Sequence, residues 1–392
     1  MLASLALIFL VGLAMGALCG QLKLPRIIGM LITGIVLGPY VLDFLDPSIL
    51  SISSELRKIA LIIILLKAGL SLDIKDLKKA GRPAVLLSFV PASCEIIGYV
   101  LLAPVILGVN TVEAAIMGAV LAAVSPAVVV PRMVMLMEQK YGTKKAIPQM
   151  IMAGASCDDI FVIVLFTTFL SMAQGGSAHI MDFVNIPVSI VLGILLGIVF
   201  GLILYLFFET SYAHKHCVRN SMKVIIVLGC SFLLVSIESW LENKISVSGL
   251  LAVVSMACTL KMKSTAFVSK RLSEKFGKLW IAAEVMLFVL VGAAVDIRYT
   301  LSAGFSALLM IIVALLFRTV GVLICTAKTN LTAKERAFCV IAYLPKATVQ
   351  AAIGSVPLAA GLGCGKIVLS VAVLAIVVTA PLGASGIDNT YK

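Results

Sequence analysis

The stretch Ala146-Ile-Pro-Gln-Met-Ile-Met-Ala-Gly-Ala-Ser-Cys-Asp-Asp-Ile-Phe-Val-Ile-Val-Leu-Phe-Thr-Thr-Phe-Leu170 sets two adjacent carboxylates, Asp158 and Asp159, inside an otherwise apolar run. The run is long enough to cross a bilayer, which takes about 20 mostly apolar residues. One ionised carboxylate near the bilayer centre costs about 3 kcal/mol or more. Two side by side persist only where negative charge is needed at that depth. The simplest recipients of such charge are a cation, a proton, or both in turn.

The rest of the chain sets that run in context. Hydrophobic residues make up 61% of the 392 residues and charged residues 13%, with a mean hydropathy of +1.15. A soluble domain carries about a quarter charged residues, so this composition predicts an all-α polytopic membrane protein. Met1 to Gly20 is apolar without the basic start of a secretory signal and reads as a first retained span. The net charge of +12 falls in short segments and needs no nucleic-acid partner. The nine cysteines (Cys19, Cys94, Cys157, Cys217, Cys230, Cys258, Cys325, Cys339, Cys364) show no ligand spacing. Most sit in apolar runs, where cysteine behaves as a small hydrophobe, so neither a disulfide framework nor a resident metal is expected. The chain has no glycine-rich phosphate loop, no HExxH and no nucleophile elbow, so enzyme chemistry and organic cofactors are not expected.

Cutting at charged or turn-rich breaks predicts about thirteen spans: 2–20, 26–42, 55–72, 82–108, 112–137, 146–174, 186–208, 220–241, 246–262, 277–296, 301–325, 334–360 and 366–384. Alternate connections are basic. One set carries Lys23 and Arg26, then Lys75, Lys78, Lys79 and Arg82, then Arg132, Lys140, Lys144 and Lys145. It continues with Lys215, Arg219 and Lys223, then the lysines and arginine of 261–278, then Lys328, Lys334 and Arg336. The other set holds chiefly Arg57, Lys58, Lys244 and Arg298, with acids such as Asp43, Asp46 and Asp182. The positive-inside rule then places the N-terminus outside and the C-terminus in the cytoplasm.

A repeat runs through the chain. Gly69-Leu-Ser-Leu-Asp-Ile74 and Gly292-Ala-Ala-Val-Asp-Ile297 are offset by 223 residues, and the same offset pairs Gly81 with Gly304 and Glu95 with Arg318. The copies end spans three and ten, an odd offset of seven spans, so they enter from opposite sides, as in transporters whose ion sites lie midway between inverted repeats. Spans five and twelve occupy matching places and carry helix-breaking prolines, in Ala123-Val-Ser-Pro-Ala-Val-Val-Val-Pro131 and Tyr343-Leu-Pro-Lys-Ala-Thr-Val-Gln-Ala-Ala-Ile-Gly354. A plain proline kink would explain either alone. Both at matching positions favour unwound segments lining a cavity.

The charged residues within spans divide by depth. Asp158 and Asp159 differ by about 100° around a helix, so one can face a cavity while the other braces against a neighbour. Glu95 and Arg318, each costly alone, together suit an intramembrane ion pair, either as structural bracing or in ion exchange. Lys346 sits in the second broken span, where it can offset half-helix C-terminal dipoles or the aspartate pair. Ser125 and Thr348 supply the polar groups of the two breaks. Lys67 and Glu284 lie nearer span ends, as snorkelling charges do. His179, His214 and His216 fall in loops.

The run Gly154-Ala-Ser-Cys-Asp-Asp-Ile160, set beside Ser125-Pro-Ala-Val-Val-Val-Pro131 and Leu344-Pro-Lys-Ala-Thr-Val-Gln-Ala-Ala-Ile-Gly354, resembles the double-aspartate motif of the monovalent cation:proton antiporters, and within them the NHA branch of sodium/proton antiporters. The resemblance covers nearly the whole chain and implies a homodimer of the NhaA-like fold. It implies a dimerisation domain from 1–50 and 217–264, a linking helix over 179–216, and a mobile core from 51–178 and 265–392. It makes Asp159 the principal ion ligand with Asp158 as partner, Arg318 the cation opposite them, and Glu95 the acid that pairs with it. Many relatives have lysine at the position of Arg318. Lysine can lose its proton during a cycle, whereas arginine stays charged.

The function expected is exchange of Na⁺ or Li⁺ for H⁺ across the cytoplasmic membrane, serving pH homeostasis, with no cofactor and with monovalent cations, protons and the bilayer as partners. A K⁺/H⁺ exchanger or efflux system of the same superfamily is the alternative. A sodium-coupled symporter would need more uncommitted polar residues in the core spans. An intramembrane aspartyl protease would need carboxylates facing each other across a site, which neighbours on one helix do not provide.

Overall fold

The computed structural model describes residues 1–22, 24–71, 74–174, 180–213, 219–241 and 247–391. The described residues are all-helical, with no strand among them. In chain order the helices are α1 (Leu2–Gln21), α2 (Arg26–Leu37), α3 (Pro47–Ser51), α4 (Ser53–Ser71), α5 (Ile74–Leu87), α6 (Val90–Leu107), α7 (Thr111–Ala122), α8 (Pro126–Glu138) and α9 (Ile147–Gln174). They continue with α10 (Ile180–Ala213), α11 (Asn220–Leu241), α12 (Gly249–Lys263), α13 (Ala266–Ala293), α14 (Ile297–Thr326), α15 (Ala333–Ala342), α16 (Thr348–Gly354), α17 (Val356–Ala359) and α18 (Gly365–Thr390). Among the described residues, 8 helices are long and apolar enough to cross a membrane, and shorter apolar helices include Arg26–Leu37, Thr111–Ala122 and Thr348–Ala359.

Contacts divide the chain into two compact units: Met1–Arg57, Asp73–Gln174 and Val285–Lys392 form one, and Lys58–Leu72 with Gly175–Glu284 form the other. In the second unit, α10 packs on α12 through glycines four residues apart. A Cβ on Gly193 would stand 2.7 Å from the Ser248 carbonyl and one on Gly201 2.8 Å from that of Met256, while one on Gly197 would strike the Ala252 carbonyl. This small-residue spacing is the usual way for helices in lipid to gain contact, since apolar burial offers no advantage between them there.

The first unit holds the repeat from Ile74 and Ile297 onward. The offset of 223 carries Ile74, first residue of α5, onto Ile297, first residue of α14. It carries Ser125, the N-cap of α8, onto Thr348, which opens α16. Contacts between α6 and α14 are reciprocal. Gly98 lies under the Phe317 ring, and Gly321 packs against Pro91 and Cys94; the offset makes Gly321 the mate of Gly98 and Phe317 the mate of Cys94. Residue i against the mate of j, with j against the mate of i, is the signature of a two-fold relation. Here it relates two halves of one chain.

The basic segment expected as a loop around Lys75–Arg82 is helical at both ends and turned at Gly81, whose φ of 71° favours glycine. Its mate Gly304 lies inside the long α14, so the repeat is imperfect. Arg57, grouped above with loop charges, is instead buried near the start of α4 at 6% exposure, with Nη1 3.4 Å from the Leu290 carbonyl. Lys23, Asp73, His179, His214, Lys215, His216, Cys217 and Lys244 lie outside the described residues, as do the side chains of Lys75, Lys78, Lys79, Asp182 and Arg298.

Candidate ion site

Both interrupted spans open with a capping box and stop at mid-length. Asn110 and Glu113 cap α7, and Thr332 and Glu335 cap α15. Proline forces the residue before it out of the helical region. Ser125, ahead of Pro126, is extended at φ −87°, ψ 109°, and Leu344, ahead of Pro345, lies in the unwound 344–347 stretch. Each break frees backbone groups, which lipid cannot satisfy. The neighbouring side chains that satisfy them form the site.

Three carbonyls at the C-terminal end of α7 and just beyond it receive three different donors. Lys346 Nζ donates to Leu121 O, Arg318 Nη1 donates to Ala122 O, and Gln350 Nε2 donates to Ala123 O at 2.7 Å. Two of these donors are cations, at the end of a helix where positive charge opposes the dipole. On the far side of the break, Val124 N donates to Asp158 Oδ2 at 2.8 Å, and Ser125 N donates to Pro345 O at 2.8 Å. In the second break Arg318 Nε donates to Tyr343 O at 2.6 Å, Lys346 N to Thr379 Oγ1 at 3.0 Å, and Ala347 N to Gln350 Oε1 at 2.8 Å.

The charges are equally interlocked. Arg318 Nη1 lies 2.7 Å from Glu95 Oε2 and its Nη2 3.2 Å from Asp158 Oδ2. Lys346 Nζ lies 2.7 Å from Glu95 Oε1. All four are at most 1% exposed. Buried ions of this kind are tolerated only when paired and hydrogen-bonded. Arginine suits the hub because its fork presents donors on two edges. Lys346 therefore meets Glu95 and the end of α7, rather than the aspartate pair.

Two cations and two acids balance, and Asp159 is the odd charge. It is 6% exposed, and its Oδ1 is buried with no hydrogen-bond partner among the described residues. Asp158 is anchored through Oδ2 by Val124 and Arg318, leaving Oδ1 buried and unpartnered. Ser125 Oγ is also buried and without a hydrogen-bond partner among the described residues, and Thr348 is buried at the start of α16. Gly154, one turn before the pair on α9, allows the Tyr343 hydroxyl and Leu87 to pack against the backbone. Thus Asp158, Glu95, Arg318 and Lys346 form one network, with Asp159 adjacent to it in sequence.

Gln350, Tyr343 and Thr379 complete the site and were not singled out in the sequence. Tyr343 and Gln350 both fall in the proline-broken stretch Tyr343–Gly354, where a lone amide among apolar residues is the signal that points to Gln350. Lys67 sits 4.7 Å from the Trp280 ring centre, a cation–π contact within the second unit.

A helical membrane unit with two interrupted helices tied around buried, paired charges is the build of an ion transporter. Comparison with known proteins gives the family. The transmembrane sodium/hydrogen exchanger family matches residues 5–388, and the chain belongs to it. It is 36% identical to human sodium/hydrogen exchanger 9B2 over 409 aligned residues, covering 98% of this chain and 73% of that protein. Mouse sodium/hydrogen exchanger 9B1 is 34% identical, with 92% of this chain and 64% of that protein covered. Among solved structures, the sodium proton antiporter MjNhaP1 from Methanocaldococcus jannaschii at pH 8 superposes with a TM-score of 0.82 at 20% identity, over 98% of this chain and 95% of that one. The chain is accordingly a multi-pass membrane protein and a transporter rather than an enzyme.

Proposed function

We propose that the protein exchanges Na⁺ or Li⁺ for H⁺ by alternating access, with Asp159 carrying cation and proton in turn. The observation that carries this reading is the uncompensated charge: Glu95 and Asp158 balance Arg318 and Lys346, and Asp159 is left over with a buried, unpartnered oxygen. One proton or one monovalent cation neutralises it. Either bound form lowers the cost of carrying the site through a low-dielectric barrier, and the bare carboxylate raises it. Exchange is then obligatory, because only the neutralised states cross readily.

Asp158 acts as the support, since its Oδ2 is committed to Val124 and Arg318. Its free Oδ1, with Ser125 Oγ, is placed to contribute oxygen ligands, which hard cations prefer. Lys346, Glu95 and Arg318 hold the two breaks in register, and Thr348 lines the second. The fold we infer is NhaA-like, with about thirteen spans in inverted repeats. The protein works as a homodimer in the cytoplasmic membrane, N-terminus outside and C-terminus in the cytoplasm. The inferred division is a dimerisation domain from 1–50 and 217–264, a linking helix over 179–216, and a mobile core from 51–178 and 265–392. No cofactor takes part.

The test is reconstitution into proteoliposomes with an imposed pH gradient, adding Na⁺, Li⁺ and K⁺ separately. Proton movement with Na⁺ or Li⁺, lost in Asp159→Asn, is the expected result. Apparent cation affinity weakens as pH falls, because proton and cation compete for one carboxylate. Exchange with K⁺ alone would establish the potassium reading, and normal Na⁺ exchange by Asp159→Asn would remove Asp159 from the mechanism.

A further inference from the structure

A groove of about 570 Å³ opens between the end of α14 and the start of α15, lined by Thr319, Leu323, Leu331, Arg336, Val340 and Ile341 among others. Its volume falls in the range of small-ligand sites, roughly 300–1,000 Å³. The groove is polarised along its length. Thr319, Val340 and Ile341 lie farther along the two helices from their connection, whereas Leu323, Leu331 and Arg336 lie near it. Leu323 is 42% exposed and its neighbours Val320 and Ile324 are 54% and 50% exposed, so this stretch of α14 faces outward.

Arg336 lies at the other end. Its Nη2 donates to Thr329 O at 3.3 Å, and Nε has no hydrogen-bond partner among the described residues. No carboxylate pairs with it among the described residues; the adjacent Glu335 is taken by Lys145 at 2.7 Å. Lys328 and Lys334, both exposed, lie near it in sequence but do not line the groove. The groove thus presents the Arg336 guanidinium near the connection and hydrocarbon along Val340 and Ile341.

We propose that this groove binds an anionic phospholipid, the phosphate on Arg336 and an acyl chain along Leu323, Val340 and Ile341. A basic pocket between helices at the edge of the hydrocarbon layer is suited to acidic headgroups. A soluble anion would leave the apolar length unfilled, and a neutral lipid would leave Arg336 uncompensated. The site touches α14, which carries Arg318, and α15, whose last turn leads into Tyr343; a lipid seated there braces the two helices that Arg318 Nε joins. The inference depends on the membrane setting and not on which ion is exchanged.

The test places a reporter in the groove with Leu323→Trp, an exposed position that tolerates the larger side chain, and compares it with the parent protein in phosphatidylcholine vesicles. Equal small fractions of brominated phosphatidylglycerol or brominated phosphatidylcholine are added. The added tryptophan should prefer the brominated anionic lipid by about fivefold, the scale of one basic residue near a charged surface. Arg336→Gln should erase the preference and Arg336→Lys should retain most of it. Equal quenching by both lipids, or a preference that survives Arg336→Gln, would overturn the proposal. So would relief of the quenching by millimolar inorganic phosphate, which would make the occupant a free anion. Native mass spectrometry of the chain without the reporter gives an independent reading, with retained phosphatidylglycerol expected to fall in Arg336→Gln and an unchanged amount counting against the site.

Discussion

Ser125 N donates to Pro345 O at 2.8 Å, tying the two unwound segments main chain to main chain. The bond joins a residue of one repeat to a proline of the other, so neither break is formed without its partner. Around it, Leu121 O, Ala122 O, Ala123 O, Val124 N and Tyr343 O are satisfied by side chains distant in the sequence, and disruption of one partner is felt in both breaks.

Gln350 is the sharpest case. Its amide closes Ala123 O with one end and Ala347 N with the other. Gln350→Ala leaves both buried groups unmet, at about 1–3 kcal/mol for each unsatisfied group. A lower melting temperature in detergent is expected, with Gln350→Leu no better because neither can bond. Melting within error of the parent would show that the amide is not what holds the breaks.

The two aspartates should respond with opposite signs. Asp158→Asn loses charge opposite Arg318 and weakens the bond from Val124, so stability falls. Asp159→Asn removes an unbalanced buried charge, so stability is unchanged or higher while exchange is abolished. Thermal melts and vesicle exchange on both variants separate these roles, and equal destabilisation by the two would contradict the division.

Arg318 makes contacts through Nε, Nη1 and Nη2. Arg318→Lys keeps the charge balance but has a single nitrogen with which to replace them. Exchange is expected to persist with an altered pH profile, since a lysine in that place can lose its proton. Arg318→Gln leaves Glu95 and Asp158 short of positive charge and should cost about 3–5 kcal/mol, as breaking a buried ion pair does. An Arg318→Lys pH profile identical to the parent would place the guanidinium outside the proton cycle.

Gly154→Ala forces a methyl group against the Tyr343 hydroxyl and to within 2.8 Å of Leu87 Cβ. Overpacking of this kind costs about 1–3 kcal/mol. Tyr343→Phe removes the nearest clashing atom and should restore part of the loss in the double variant. A strictly additive pair would show that the hydroxyl does not press on this part of α9.

Much of this site is legible in the sequence alone. The 223-residue offset pairs Glu95 with Arg318, and the structure sets them 2.7 Å apart. The prolines marked both breaks, because proline's effect on its own segment is local and needs no tertiary information. What depended on tertiary geometry was not legible. Lys346 had two plausible partners in the sequence, and its contact with Glu95 follows only from how the breaks cross. Gln350 reads as any amide until Ala123 O is brought to it. Arg57 sits among loop-like polar residues, and its burial follows from packing near Leu290. The basic stretch around Lys75–Arg82 reads as a connection by charge, yet its lysines favour helix and Gly81 alone supplies the turn.

The contact between Glu95 and Arg318 joins a residue to its own counterpart in the other half of the chain. In an assembly of two identical halves, that position would set each residue against a copy of itself, acid against acid or base against base. Like charges buried at contact distance repel, so identical subunits cannot hold an ion pair there. Opposite charges at this place require two halves that differ, which fusion into one polypeptide allows. Expressing either half alone to form a symmetric pair therefore cannot rebuild the centre of this protein, however well its helices pack.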